Sequence, residues 1–326
     1  MTILNVSLGQ SIQAAINAAA PGDTIDVAAG TYTDQFLNIS QSVTLQAVGG
    51  QVLLRETRSP DDGKAMITEH GAQVTINGFD IAGVSVPDRN GAAIRYEGGS
   101  LTLSNDFFHD NQEGLLGAAD AGGSISIDHS EFAHNGDGSG STHNIYVGAI
   151  AAFNLTNSYI HDAVVGHEVK SRAANNTITG NRIFDNNGSA SYSIDLPNGG
   201  NASISGNQIE QGAFTQNPAI FAWGEEGNTN GGMMFITGNT VVNDDPGGYG
   251  VLGGPASFTN NQDWNLANLG NVVASGNMDL ASRPVLDTTS LDFTNTGTVT
   301  PPPIVHGHGH GHGHTHTTSI AIADHQ

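Results

Sequence analysis

The chain has 326 residues, no cysteine, and nine lysines and arginines against thirty-one acidic residues, which gives a formal net charge of −22. So negative a protein is not expected to bind nucleic acid or an anionic membrane surface, because both need a basic face. The lack of cysteine excludes a disulfide scaffold and a cysteine-ligated zinc site.

The amino-terminal residues, MTILNVSLGQ, contain neither a positively charged region nor an apolar core of the kind found in signal peptides. We therefore expect no Sec signal peptide. The sequence also has no run of eighteen apolar residues, so we expect no transmembrane helix.

The first patterned segment, SIQAAINAAAPGDTIDVAAGTY, starts at Ser11 and predicts a short helix followed by a strand over Thr24–Val27. Ser11 is placed to cap the helix, and Pro21 with Gly22 to end it. The apolar residues that share one helical face are Ile12, Ala15, Ile16 and Ala19. Such an amphipathic helix is suited to plug the open end of a repeat protein.

A four-residue pattern then recurs about every 25 residues: an aliphatic residue, a small polar residue, and a turn that often ends in asparagine. Its copies are Ile76–Phe79, Leu103–Asp106, Ile127–Ser130, Leu155–Ser158, Ile178–Asn181, Ile204–Asn207 and Ile236–Asn239. This period does not suit propeller blades or helical repeats, and the leucine-rich frame is missing. A parallel β-helix with about three short strands per coil remains, and it would stack Asn181, Asn207 and Asn239 in a ladder.

The opening helix and the coil repeats resemble the pectate-lyase-like right-handed parallel β-helix superfamily over roughly residues 5–280. The resemblance implies an all-β solenoid with an amino-terminal capping helix, which we place at residues 1–298. That superfamily holds lyases, hydrolases, epimerases and non-enzymatic adhesins, so it is more specific for fold than for activity.

Residues 299–326 differ in character, because a proline-rich linker leads into the tract HGHGHGHGHTH. Such a segment cannot bury a core, and we expect it to be disordered. It is either a soluble spacer or a loose transition-metal site, since alternating histidines can wrap a metal ion.

Three successive coils place reactive residues at matching positions. The segments His143–Gly148, His167–Arg172 and Tyr192–Pro197 follow one another at the coil period, with Ile145, Val169 and Ile194 aligned as inward residues. Alternation along a strand then turns the intervening residues outward. The outward set is Asn144, Tyr146, Glu168, Lys170, Arg172, Ser193 and Asp195.

A further column is formed by His143, His167 and Tyr192 at the strand starts. Strict alternation turns this column inward, whereas a bend at the preceding turn would bring it to the surface, and the sequence leaves both open. On the next coil Trp223 is a candidate sugar-stacking wall, and Glu225 or Glu226 a candidate acid.

Two of the nine cations, Lys170 and Arg172, therefore lie on one strand of an acidic protein, which indicates an anionic ligand such as a carboxylated sugar. Arg172 could grip the carboxylate with its planar guanidinium. Lys170 could be the base if its charge is disfavoured, but pairing with Asp195 opposes this. His143, His167, Tyr146 or Tyr192 would then transfer the proton.

The resemblance implies lyases with a lysine base and an arginine partner from neighbouring coils, whereas here Lys170 and Arg172 share one strand. Many members of the superfamily use calcium held by carboxylates, and Glu168 with Asp195 is the candidate ligand pair.

Three functions remain open. The first is a polysaccharide lyase for a uronate-containing glycan, with uronate epimerisation as a close variant. The second is a glycoside hydrolase that uses Asp195 with Glu168 as its two carboxyls. The third is a non-catalytic glycan-binding surface protein. In each case we expect a monomer that binds an acidic polysaccharide and is secreted or cell-surface, exported outside the Sec pathway.

Overall fold

The computed structural model describes residues 1–293, which form short parallel strands and one helix, α1 (Ile12–Ala18). The strands wind into a parallel β-solenoid of about nine turns, which confirms the predicted all-β fold. Within this part of the chain, no helix has the length and apolar character needed to cross a bilayer. The predicted boundary at residue 298 and the Gly-His tail lie outside the described residues.

Each full coil contributes one strand to each of three walls. The first wall consists of β3 (Leu37–Ile39), β5 (Ala65–Glu69), β8 (Ala92–Tyr96), β11 (Glu113–Gly117), β14 (Ile145–Val147), β17 (Val169–Ser171), β20 (Ile194–Leu196), β23 (Ala219–Trp223) and the first half of β26 (Tyr249–Thr259).

The second wall begins at the amino-terminal end and contains the longest strands. It consists of β1 (Ile3–Val6), the first halves of β2 (Asp23–Thr33) and β4 (Val43–Arg55), β6 (Gln73–Asn77), β9 (Ser100–Ser104), β12 (Asp120–Asp128), β15 (Ile150–Thr156), β18 (Asn175–Thr179), β21 (Asn201–Ser205), β24 (Met234–Thr237), the second half of β26, and β28 (Gly270–Ser275).

The third wall follows the second after a sharp corner. It consists of the second halves of β2 and β4, β7 (Phe79–Ala82), β10 (Phe107–His109), β13 (Glu131–Ala133), β16 (Tyr159–His161), β19 (Arg182–Phe184), β22 (Gln208–Gln211), β25 (Thr240–Asn243), β27 (Gln262–Trp264) and β29 (Met278–Asp279).

The aliphatic residues of the repeat form one continuous row inside the solenoid. They pair coil by coil along the second wall and are fully buried; the row is Leu103, Ile127, Leu155, Ile178, Ile204 and Ile236. Burying a side chain of this size contributes about 1.5–3 kcal/mol. The row explains why the pattern recurs at the coil period, because each coil must present its aliphatic residue at the same height.

The predicted asparagine ladder is confirmed at the corner between the second and third walls. The side-chain amide of Asn207 donates to Ile178 O and to Asn239 Oδ1, each over 2.9 Å. Its own Oδ1 accepts the backbone N–H of Asn181 over 2.8 Å. Each buried amide thus satisfies backbone groups that the turn would otherwise leave unpaired.

The short helix covers the amino-terminal end as expected. The Ser11 hydroxyl accepts the backbone N–H of Ala14 over 3.2 Å, which confirms the cap. Ile12 and Ile16 are buried against the core. The following strand is longer than predicted, since β2 turns a corner and continues to Thr33.

The last described residues, 281–293, run back along the third wall instead of adding a coil. Arg283 forms a salt bridge with Asp244 at 2.7 Å. Further along, Arg182 Nη1 donates to Asp287 O over 2.7 Å, and the backbone N–H of Leu291 donates to Glu131. These contacts fasten the carboxy-terminal segment to coils that lie far earlier in the chain.

We expect replacement of Asn207 by alanine to lower the free energy of unfolding by about 3 kcal/mol, because it strands several buried backbone and amide groups at once. The measurement is urea denaturation, with the shift in midpoint read at constant slope. Asn201→Ala, which removes an exposed asparagine of the same wall, is the matched control and should change the midpoint little. Equal effects of the two substitutions would contradict a structural role for the ladder.

We expect the stability to depend on the ionisation of His161 in the third wall. Burial disfavours its charge, but hydrogen bonds to Asp162 and Glu131 outweigh this and raise its pKa to about 9. A raised histidine pKa adds stability below the unfolded value of about 6.5, and that stability is lost as the pH rises through about 9. His161→Gln should therefore reduce the loss of stability between pH 6.5 and 9.5 by about 2–3 kcal/mol, measured by denaturation at each pH. A pH profile parallel to that of the wild type would contradict this.

Candidate functional site

The three segments that the sequence places on consecutive coils are neighbours in the first wall. Tyr146 lies opposite Lys170 across β14 and β17, and Lys170 lies opposite Asp195 across β17 and β20. Adjacent parallel strands are about 4.8 Å apart, so the three side chains share one face. The predicted registration is confirmed.

The outward placement predicted for Asn144 and Glu168 is wrong. β14 and β17 have only three residues each, and the corner before them turns both side chains into the interior, where they are fully buried. Asn144 Nδ2 donates to Glu168 Oε2 over 2.5 Å, and Glu168 Oε1 accepts the N–H of Ala163 over 2.8 Å. The pair extends a buried amide ladder that includes Asn111 and Asn135. Neither side chain is free for substrate or metal.

The same corner turns the side chains of His143, His167 and Tyr192 onto the face that carries Lys170. The sequence had left open whether this column points inward or toward that face. The His143 ring stacks on Tyr146 with centroids 5.6 Å apart and lies 4.7 Å from the His167 ring. His167 stacks in turn on Tyr192 at 5.3 Å. Both histidines are more than nine-tenths buried. The rings of Tyr146, His143, His167 and Tyr192 therefore form one continuous stack on the face that carries Lys170.

The two histidines share a hydrogen bond that defines where their lone pairs lie. His143 Nδ1 accepts the backbone N–H of His167 over 3.0 Å, and the two Nδ1 atoms are also 3.0 Å apart. Because His143 Nδ1 already accepts, the proton between the rings belongs to His167 Nδ1. The lone pair of His167 is then on Nε2, which is 3.6 Å from Asp195 Oδ2.

Electrostatics keep His167 neutral. Burial, followed by the nearby charges of Lys170 and Arg172, lowers its pKa to about 3. The pKa of His143 is also well below its usual value, for the same reasons and because His167 is adjacent. The site therefore holds a neutral imidazole beside two cations at pH 7.

The loop before His167 is strained and closely packed. Val165 has a φ of +68°, a left-handed conformation that is rare for a β-branched residue. A Cβ on Gly166 would lie 1.7 Å from Thr142 O and 3.0 Å from His143 Nδ1. Glycine is thus needed at 166 for the two histidine-bearing segments to approach each other.

The two cations converge on a single carboxylate. Lys170 Nζ lies 3.2 Å from Glu226 Oε1, and Arg172 Nη2 lies 2.6 Å from Glu226 Oε2. The remaining guanidinium nitrogens of Arg172 donate to Tyr146 Oη over 2.9 Å and to Asn198 Oδ1 over 2.5 Å. These contacts hold the guanidinium plane in one orientation over the wall.

Asp195 is a buried carboxyl group whose protonated form is favoured. Burial and a hydrogen bond with Glu225 raise its pKa well above the usual range, although Lys170 Nζ at 3.3 Å acts in the opposite direction. We assign the raised direction, because the carboxyl is 1% exposed and burial disfavours its charged form more than one ammonium group favours it. Burial likewise raises the pKa of Tyr192 to about 12, so this phenol does not act as a base at pH 7.

The predicted role of Trp223 as an exposed sugar-stacking wall is wrong. Its register partner is the inward residue Leu196, and the indole is 1% exposed with Nε1 donating to Gly200 O over 3.0 Å. Glu225 is exposed beside Asp195, and its role in substrate binding stays a prediction. The sequence analysis named Glu226 but did not predict its contacts with Lys170 and Arg172, and it missed Asn198. Glu226 lies in the turn after β23 and Asn198 in the turn after β20, and strand alternation does not predict side-chain directions in turns.

The predicted calcium ligands do not form a ligand set. Both oxygens of Glu168 accept internal hydrogen bonds, and Asp195 is paired with Lys170. Within residues 1–293, no cluster of three or more histidine, aspartate or glutamate side chains is arranged to bind a metal ion. A calcium requirement stays a prediction that these residues do not support.

A comparison with solved structures supports the fold. The crystal structure of pectate lyase Pel9A is similar with a TM-score of 0.59 at 17% identity, over 85% of this chain and 79% of that chain. The chain has the pectate-lyase-like parallel β-helix fold.

Two other similar structures have lower TM-scores. The PL6 family alginate lyase AlyGC gives 0.48 at 16% identity, over 86% of this chain and 40% of that chain. The A-module of mannuronan C-5 epimerase AlgE6 from Azotobacter vinelandii gives 0.45 at 16% identity, over 83% and 95%. No protein-family model and no curated protein matches the sequence.

We expect Gly166→Ala to destabilise the protein by about 2–3 kcal/mol, because the added methyl group must push apart two packed backbone segments. Thermal unfolding measures the effect. Gly122→Ala is the matched control, since the nearest atom to its added Cβ would be 3.9 Å away. An unchanged melting temperature for Gly166→Ala would show that the histidine pair does not depend on this close approach.

Proposed function

We propose that the protein is a polysaccharide lyase that cleaves a uronate-containing glycan by β-elimination. The observation that supports this most directly is the pair Lys170 and Arg172, which bind the two oxygens of one carboxylate on the face that also holds neutral His167. The same fold in a pectate lyase is consistent with an acidic polysaccharide as substrate.

Lys170 and Arg172 bind the uronate carboxylate and stabilise the negative charge that develops on it during proton removal. Lys170 also contacts Asp195, and an ammonium group between two carboxyls suits this electrostatic role rather than that of a base. This departs from the lysine base that the sequence analysis considered.

His167 accepts the proton from the carbon next to the carboxylate, since its Nε2 is unprotonated at neutral pH. A pKa of about 3 makes it a weak base, so Lys170 and Arg172 must supply most of the stabilisation through the charge that develops on the carboxylate. The electrons of that C–H bond form the new C=C double bond, and the bond to the glycosidic oxygen breaks. Tyr146 donates its proton to the leaving oxygen. Arg172 Nε already donates to the Tyr146 hydroxyl, which leaves the phenolic proton free for the leaving group. His143 orients His167 through the shared Nδ1 contact.

Uronate epimerisation is a close variant of the same proposal. It begins with the same proton removal and ends with return of a proton to the opposite face, without loss of the glycosidic oxygen. A uronate polymer is an extracellular material, so we also propose that the protein acts outside the cell or at its surface.

A glycoside hydrolase is the second candidate, and one observation favours it. The environment shifts the pKa values of two nearby carboxyls in opposite directions. Burial raises the pKa of Asp195 well above its usual range, whereas Arg172 and Lys170 outweigh burial and lower the pKa of Glu226. Both contact the same Lys170 Nζ, at 3.3 and 3.2 Å. Such a protonated acid beside an ionised carboxylate is the arrangement that hydrolysis requires. This pair replaces the Asp195 and Glu168 pair expected from the sequence.

Incubation with alginate, pectate and glucuronan, read by the absorbance of the unsaturated product, tests the lyase reaction. We expect Lys170→Ala and Arg172→Ala each to lower the rate by a factor of about 10²–10³, because each removes a cation from the developing charge. Lys64→Ala, which removes the second lysine of the chain on the loop before β5, is the control and should keep the full rate.

Two outcomes would contradict the proposal. Cleavage of neutral glycans with no unsaturated product would favour the hydrolase. Binding of an acidic glycan with no turnover of any kind would favour the non-catalytic alternative.

A further inference from the structure

The carboxylate of Glu226 lies where the proposed reaction needs the carboxylate of a sugar. One oxygen contacts Lys170 Nζ at 3.2 Å and the other contacts Arg172 Nη2 at 2.6 Å. A single carboxylate bound at both oxygens by two cations is the geometry used to recognise acidic ligands. The cation pair is therefore already filled by a group of the chain itself.

The contact is made from the solvent side. The side chain of Glu226 is 36% exposed, whereas those of Lys170 and Arg172 are 10% and 19% exposed. A carboxylate in this position can leave toward solvent without moving any buried group, and an incoming carboxylate can approach along the same path.

The backbone around Glu226 is fixed, so exchange requires only rotation of the side chain. The N–H of Glu226 donates to Pro197 O over 3.1 Å, and the N–H of Gly224 donates to Leu196 O over 2.9 Å. On the other side, Asn230 Nδ2 donates to Arg172 O over 3.1 Å. These bonds hold the turn after β23 against β20 and β17.

We infer that Glu226 is an internal stand-in for the substrate carboxylate and that it determines specificity for acidic sugars. The inference rests on the proposed function and deepens it. A uronate that displaces Glu226 replaces one pair of charge-assisted hydrogen bonds with an equivalent pair. A neutral sugar cannot, because displacing Glu226 would leave both cations without the carboxylate that they share. The stand-in thus lowers the affinity for every ligand but excludes neutral glycans most strongly.

The test is calorimetric titration of the full-length protein with trimers of galacturonate, mannuronate and glucuronate, each compared with its carboxyl-reduced neutral form. We expect Glu226→Gln to bind at least one acidic trimer about 10-fold more tightly than the wild type, because the binding-competent state is no longer blocked. The neutral forms should gain at least as much, because in the wild type they must displace Glu226 without supplying a carboxylate, so the preference for acidic trimers should fall.

Two variants separate occupancy of the cation pair from general charge. Glu226→Asp keeps the negative charge but is too short to contact both cations, so it should gain affinity almost as Glu226→Gln does. Asp61→Asn removes a carboxylate from another arginine bridge, with Arg58 on the loop after β4, and should leave the affinity unchanged. Wild-type affinity in Glu226→Asp, or an equal gain in Asp61→Asn, would overturn the inference.

The inference and the proposed function can fail separately, because calorimetry does not require turnover. Tighter binding of an acidic trimer by Glu226→Gln without any unsaturated product would keep the stand-in and refute the lyase. Product formation by the wild type with no gain in affinity for Glu226→Gln would do the reverse. Loss of cleavage of a neutral glycan in Glu226→Gln would overturn the inference in favour of a catalytic carboxylate.

Discussion

Stacking of parallel strands in register is the interaction on which the rest of this structure depends. It sets the distance between equivalent residues of successive coils at about 4.8 Å, whatever the chain does in the loops between them. Tyr146, Lys170 and Asp195 come from three segments of the sequence and have no local reason to meet. Their proximity follows from the aliphatic row and the asparagine ladder, which force each coil to repeat at one height.

The corner before the short strands of the first wall is the second feature that determines the site. It turns the side chains predicted to point outward into the interior, and those predicted to point inward onto the face of Lys170. It buries Asn144 and Glu168 in a hydrogen-bonded ladder and exposes the side of His143 and His167 to the cations. The strained φ of Val165 belongs to this corner. Strain of this kind persists only where the surroundings hold it, and here the buried hydrogen bonds of Glu168 do so.

The fold was readable from the sequence because it depends on periodicity, and the repeat places one aliphatic residue per coil. The face of a strand was equally readable, and Lys170 and Tyr146 point as alternation requires. Alternation fails where a strand is three residues long, since Asn144 and Glu168 take their direction from hydrogen bonds to each other and to Asn135 and Ala163 at the corner. Trp223 was misplaced because it was not aligned with Leu196. The contacts of Glu226 depend on turn geometry, which composition and spacing do not encode.

The formal net charge of −22 overstates the negative charge that an anionic ligand meets at the first wall. That figure counts every acid as ionised, yet burial raises the pKa of Asp195, Glu113 and Glu168 well above the usual range and favours their neutral forms. Lys170 and Arg172 then act against fewer ionised neighbours than the formal charge implies, within the reach of their field, which salt limits to about 10 Å at 0.1 M. The net negative charge of the protein repels a polyanion in general. Under the proposed function, a uronate chain is attracted where Glu226 can be exchanged for it, so the acidity of the whole protein is compatible with an acidic substrate.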